Sequence, residues 1–365
     1  MKSSAFKKIN FLSQDDKDFG VTIKNRVGEY FGSKNVSRTG DYRIWVKVIV
    51  LPLIYLTPFA VLLTNSLSDS LPLFYCMWLI MGIGIAGCGL GIMHDACHGA
   101  LSKNKSVNYV VGLVINLAGG YALNWKIQHN VLHHSYTNID GYDEDIHTAG
   151  MMRFSPHQPV KWFYRFQIVY AWFLYGLMTF SWVTYKDFLG LIRYNQKGLV
   201  KAQGNTFTKE LVKLILQKVF YYCVFMLLPL IFLDVAWWHV LLGWFCMHFV
   251  GGLILACIFQ PAHVVPTSEF PLPDQDSNVH GDWVVHQMLT TANFAPNNLL
   301  LSWYVGGLNY QIEHHLFPNM CHIHHREVSN IVQKTAKEFG LPYHSTPTLF
   351  GALINHAKML HSLRK

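Results

Sequence analysis

Three short stretches concentrate imidazoles. "HDACH" carries His94 and His98, "QHNVLHH" carries His129, His133 and His134, and "NYQIEHH" carries Gln311, His314 and His315. Spacings of three or four residues put these side chains on one face of a helix, where ring nitrogens can converge on a single ion. His263, in "FQPAHV", leaves an apolar run at the same depth. A lone HxxxH is usually a surface or core coincidence; three clusters at the mouths of apolar segments predict a metal site. Imidazole suits zinc, copper, iron and nickel, and a catalytic zinc needs only three protein ligands plus water. Eight histidines exceed that need and could give four ligands to each of two metals, with positions left open for oxygen chemistry. Two zincs satisfy the residues alone; redox work on a membrane-embedded substrate favours iron.

The elements that must position these groups are apolar. Charged residues make up 14% of the 365 residues, against about 25% in soluble domains. Four stretches reach the roughly 20 residues needed to cross a hydrocarbon core: 44–64, 71–93, 211–233 and 237–259. The gaps within each pair, "NSLSDS" and "DVA", are those of helical hairpins. Two further apolar stretches are ambiguous. Val110–Leu123 is short and broken by Gly112, Asn116, Gly119 and Gly120, which suits a re-entrant or interfacial segment. Phe166–Tyr185 is rich in aromatics, as membrane interfaces are.

Charge decides between four spans and more. The segment 186–218 holds Lys186, Arg193, Lys197, Lys201, Lys209, Lys213 and Lys218 against Asp187 and Glu210. With four spans this basic loop faces the cytoplasm, and neither hairpin turn carries a Lys or Arg, as the positive-inside tendency requires. The expected fold is therefore an all-α integral membrane protein, with four transmembrane helices in two hairpins and a cytoplasmic helical cap holding a dimetal site. Both termini and the active site are expected on the cytoplasmic side. Residues 1–43 form a cytoplasmic N-terminal segment, polar and unlike a cleaved signal peptide. Residues 44–365 form a single membrane domain, with cytoplasmic histidine regions at 94–210 and 260–325 and a tail at 326–365. The seven cysteines form no CxxC pair, so they suggest neither a disulfide framework nor a zinc knuckle.

With the boxes HxxxH, HxxxHH and QxxHH in place, the chain resembles the membrane-bound fatty acid desaturases. "HDACHGA", "HNVLHHSYTNIDGYDEDI" and "GGLNYQIEHHLFPNMCHIHH" are similar to the front-end, linoleoyl-CoA-type branch, where Gln replaces the first His of the third box. The resemblance implies an oxygen-dependent enzyme that introduces a cis double bond into the acyl chain of an acyl-CoA or acyl lipid, with two iron ions as cofactor and O2 as co-substrate. It implies as ligands His94, His98, His129, His133, His134, His314 and His315, with His263 as an extra ligand; Gln311 would bind through its amide oxygen or through water. The sequence has no HPGG haem motif and no histidine before His94. Electrons are thus expected from a separate carrier, a ferredoxin or a cytochrome b5 with its reductase.

Metal-bound imidazoles usually donate their other N–H to a carboxylate or carbonyl. Asp95, Asp143, Asp145, Asn309 and Glu313 lie within or just after the boxes and are candidates, with helix capping or solvation as the alternative. His286 in "WVVHQMLTTANF" either supports the site or is a satisfied interfacial histidine. His322, His324 and His325 read as packing or surface residues, and His248, inside the fourth span, as a neutral imidazole bonded to a neighbouring helix. Two rival functions share these features. One is acyl or sphingolipid hydroxylation on the same scaffold; the other is metal transport, which would place ligands near the bilayer midplane rather than at one face.

Overall fold

The computed structural model describes residues 6–12 and 17–365. Four helices are long and apolar enough to cross a bilayer: Tyr42–Leu63, Leu71–Cys97, Phe207–Phe232 and Trp237–His263. The second and fourth outrun their apolar stretches, so His94 and His263 ride on their last turns. They are also the inner pair. In their most apolar stretches 67% and 50% of residues are buried, against 33% and 28% in the first and third spans. Glycine permits the close crossings. A Cβ at Gly82 would lie 2.5 Å from the Met247 carbonyl oxygen, and one at Gly84 would lie 2.6 Å from the backbone of Tyr55. Span two therefore packs against spans one and four at backbone distance, and its end cannot shift independently of theirs.

The two ambiguous segments are bent pairs rather than straight spans. Lys105–Leu117 turns by 109° into Ala122–Tyr136, and Trp162–Gly176 turns by 58° into Met178–Gln196. The first bend delivers "QHNVLHH" to the site. The second exposes Trp162, Phe166 and Phe173 on its outer side, the residues of an interfacial belt. A buried ion pair ties these parts together. Lys218 Nζ of span three lies 2.6 Å from Asp187 Oδ2 and donates to the Trp182 carbonyl at 2.7 Å, while Asn124 Nδ2 donates to the Asp187 carbonyl at 2.6 Å.

The cap is built from both ends of the chain. Helix Lys17–Lys34 lays Phe19, Ile23, Val27 and Phe31 against Val284, Val328 and Val332. Strand Asn10–Leu12 pairs in parallel with Asn278–His280. The helix face follows a 3.6-residue period; its partners lie some 300 residues away, beyond the reach of local pattern.

Candidate metal centre

The local backbone around two boxes is unusually wide. Gly89–Met93, just before His94, and Ile127–His133 are π-helical turns. In the latter the His134 amide donates to the His129 carbonyl, five residues back. Such turns recur at functional sites because each accommodates one extra residue and so re-aims the side chains beyond it. The third box is set by a different device. Gly306 and Gly307, both at positive φ, turn the chain into "LNYQIEHH", and a Cβ on Gly307 would lie 2.9 Å from that of His322. Helix Gln311–Leu316 then presents His314 and His315.

These segments bring all eight sequence-predicted histidines together. The ring nitrogens of His94, His98, His129 and His314 lie within 4.8 Å of one another, as do those of His133, His263 and His315. His134 stands between the two groups, its ring 4.6 Å from that of His314 and 4.3 Å from that of His315. Seven of the eight leave a buried ring nitrogen with no partner: Nε2 of His98, His133, His263, His314 and His315, and Nδ1 of His94 and His134. The eighth, His129, has its Nε2 3.0 Å from His94 Nε2 and 3.2 Å from His134 Nε2. Buried imidazole nitrogens are rarely left bare; two groups of converging lone pairs fit two metal ions.

Electrostatics keeps most of them ready to ligate. Burial pushes His98 down to about 3 and moves His129, His134, His314 and His315 in the same direction. Burial thus favours the neutral, ligating form of these rings. Burial also opposes a charge on His133, but the carboxylates of Asp143 and Asp145 outweigh it and raise its pKa to about 9. His133 Nδ1 lies 3.1 Å from both Asp143 oxygens, which fixes its proton there and aims Nε2 inward. His315 Nδ1 meets Gln287 Oε1 at 2.8 Å, and His263 Nδ1 meets the Thr290 carbonyl at 3.3 Å.

The expected supporting residues divide. Asp143 bonds a box histidine, and Asp145 lies 3.4 Å from His133 and 3.7 Å from His129. Asp95 turns the other way, to the His322 amide at 3.1 Å and His322 Nδ1 at 2.8 Å; His322 Nε2 in turn meets Lys47 Nζ at 2.5 Å. Asn309 donates to the Ala295 carbonyl at 3.2 Å. Glu313 accepts from Asn293 and Tyr343 at 2.8 and 2.9 Å, and burial raises its pKa to about 7. Asn309 and Glu313 thus brace the backbone of the third box without bonding its histidines. Gln311 is buried in the helix that carries His314 and His315, with its amide nitrogen unpartnered.

The peripheral histidines also sort themselves. His248 is a bonded core residue, 2.5 Å from the Tyr221 hydroxyl and 3.2 Å from Thr179 Oγ1. His286 is buried against the Phe11 ring with Nε2 unpartnered. His322, His324 and His325 are all buried, so none is a surface residue. The residue that sequence reasoning missed is Gln287. It lies one position after His286, in the "WVVHQMLTTANF" stretch, where the histidine and not the neighbouring amide was the candidate.

A cavity of about 310 Å³ leads to the centre, reaching His129, His133 and His263 between the second bent pair and span four. Its walls include Phe154, Met178, Trp182 and Phe259. Lined mostly by aliphatic and aromatic groups, it has the character of a site for an alkyl chain.

The comparisons with known proteins agree with this geometry. The fatty acid desaturase family model matches residues 70–347. The chain is 34% identical to the sn-1 linoleoyl-lipid 6-desaturase of Synechocystis sp., over 96% of both chains. It is 32% identical to the protein of the same name from Arthrospira platensis, over 92% of this chain and 89% of that one. It is 33% identical to an acyl-lipid (8-3)-desaturase of Physcomitrium patens, over 96% of this chain and 73% of that one. With a helical membrane bundle, two converging imidazole clusters and an apolar cavity running to them, the chain belongs to the fatty acid desaturase family, in its front-end branch.

Proposed function

We propose that the chain is an acyl-lipid desaturase whose eight histidines hold two iron ions, and that it inserts a double bond between the head of an acyl chain and a bond already present. The observation that carries this reading is the opening of the apolar cavity directly onto both imidazole clusters. The donor set is all nitrogen, which iron accepts as well as zinc, and redox work on an alkyl chain favours iron. The acyl-lipid substrate is supported by the similarity to relatives that carry that name.

Bound iron with O2 supplies an oxidant strong enough for an unactivated methylene, which no side chain can provide. For each double bond, one O2, two electrons and two protons enter, two C–H bonds break, and two waters leave. The chain's own residues do the rest. The imidazoles hold the metals, with His133, His263 and His315 oriented by Asp143, the Thr290 carbonyl and Gln287. The cavity walls align one C–C bond beside the centre and exclude water. A separate carrier, ferredoxin or cytochrome b5, would deliver electrons on the face where the cap lies. The basic loop 186–218 supports a cytoplasmic position for that face.

Expression in a host that lacks polyunsaturated lipids, followed by double-bond mapping of its fatty acids, tests the reading. The expected result is a new double bond on the carboxyl side of an existing one, in lipid-esterified chains. A hydroxylated product without a new double bond would overturn it. So would metal uptake by vesicles holding the purified protein, with an unchanged lipid profile.

A further inference from the structure

Four charged side chains line the cavity: Glu144, Asp145, Lys186 and Arg193. Three are already engaged. Arg193 pairs with Glu144 at 2.9 Å, and Asp145 accepts from Gln128 at 2.5 Å. Lys186 has no hydrogen bond or ion pair among the described residues; the Asp145, Asp187 and Glu144 carboxylates act on its charge from beyond bonding distance, and the Trp182 ring lies 5.9 Å from Nζ. The carboxylates favour its charge, yet its three N–H donors make no hydrogen bond, so a ligand oxygen entering the cavity would find a donor free to receive it.

We propose that Lys186 anchors the carbonyl oxygen at the head of the acyl substrate, so that the reacting carbons are counted from the carboxyl end. The inference rests on the desaturase reading and adds to it the group that is recognised and the residue that recognises it. A phosphate is the poorer match. It favours several cationic donors or a bidentate guanidinium, and Arg193 is committed to Glu144. A single ammonium beside an aromatic ring suits one neutral acceptor. The position also fits the chemistry. Lys186 ends the π-helical turn Trp182–Lys186 and shares one cavity with His129, His133 and His263. Next to it, Tyr185 and Leu189 line the same cavity while remaining 51% and 53% exposed. The cavity mouth is thus greasy on its outer side, and a chain can enter sideways with its ester trailing to Lys186. Fixing that ester fixes how many methylenes lie between it and the metals.

The test combines a change in the enzyme with a change in the substrate. Purified iron-loaded protein in lipid nanodiscs, supplied with O2 and with reduced ferredoxin or cytochrome b5 with its reductase as electron donor, is given an ester lipid, the corresponding acyl-CoA, and an alkyl-ether lipid of equal length that lacks the carbonyl. Lys186→Met should raise KM about tenfold or more on whichever ester donor is turned over, the effect of losing one charge-assisted hydrogen bond. It should also scatter the double-bond position, while Lys186→Arg keeps a single position. On the wild type the ether lipid should show a similar penalty, with no further loss in Lys186→Met. The donor arm that shows the penalty identifies the source of the carbonyl. Unchanged KM and a single double-bond position in Lys186→Met would overturn the proposal. If that variant fails to load iron, ether and ester lipids of equal KM on the wild type would overturn it. Failure of the desaturase reading is seen separately, as wild-type protein that forms no double bond on any arm.

Discussion

Gln287 Oε1 lies 2.8 Å from His315 Nδ1, while Gln287 Nε2 donates to the His134 backbone carbonyl at 3.3 Å. One amide thereby braces two boxes that are far apart in sequence. It dictates which nitrogen of His315 keeps its proton, and so which one faces the cluster. Replacing it by Leu keeps the bulk and removes both bonds. Gln287→Leu should weaken metal binding about 10- to 100-fold, measured by chelator competition on the purified protein. An unchanged affinity would show that the packing of His315 suffices to orient it.

His263 and His248 lie on one helix and make opposite predictions. His263→Ala removes a nitrogen from the second cluster, so metal per chain and product should both fall sharply. His248→Ala leaves the buried Tyr221 hydroxyl with only the Trp244 indole N–H, at 3.2 Å, as a partner and its own proton without an acceptor, which should cost about 1–3 kcal/mol. The thermal midpoint in detergent should drop while metal content holds. Elemental analysis beside a melting curve separates the two; metal loss in His248→Ala would contradict its assignment to the core.

His134 sits between the clusters and His315 within the second, so either mutated to Ala should abolish the new double bond while membrane insertion stays intact. Fatty acid profiles and membrane fractionation of expressing cells check both halves. Near-normal product from either variant would remove it from the ligand set.

Gln311→His adds an imidazole to the short helix that already carries His314 and His315. The variant should retain metal, read as iron per chain. Loss of iron would mean that the space beside Gln311 has no room for a ring.

Lys218 and Asp187 form a buried pair, so losing one member is worse than losing both. Lys218→Met should destabilise by about 3–5 kcal/mol by stranding the Asp187 carboxylate. Adding Asp187→Leu should recover part of that, as judged by thermal unfolding of the two variants. Equal stability of single and double variants would show that water already solvates the pair.

The histidine boxes were legible because helical spacing is a local property: His94 and His98 meet through one turn of their own chain. How the boxes share the two clusters was not, since His129 and His314 join the first and His133 and His315 the second. The four spans were legible from apolar length; the glycines of 110–123 and the aromatics of 166–185 marked segments unlike straight spans, but the bends of 109° and 58° were not foreseen. What stayed hidden depends on distant packing. Asp95 reads as a partner for its own box, yet it meets His322, 227 positions on. Glu313 and Asn309 carry the right chemistry but bond elsewhere, because the backbone they brace needs them more. Gln287 has no local mark at all; its role exists only once the helix Trp283–Thr290 lies beside His315.

The two clusters draw their nitrogens from four separated stretches: the end of span two, the first bent pair, the end of span four and the cap. Filling them would cross-link the bundle to the cap at the points where the chain returns from the membrane. Ligands absent from the unfolded chain turn binding energy into folding energy. Metal supply would then act as an assembly checkpoint: a chain made in a metal-starved cell could insert its helices, yet keep a loosely held cap open to proteolysis. Abundance, as well as activity, would follow the metal.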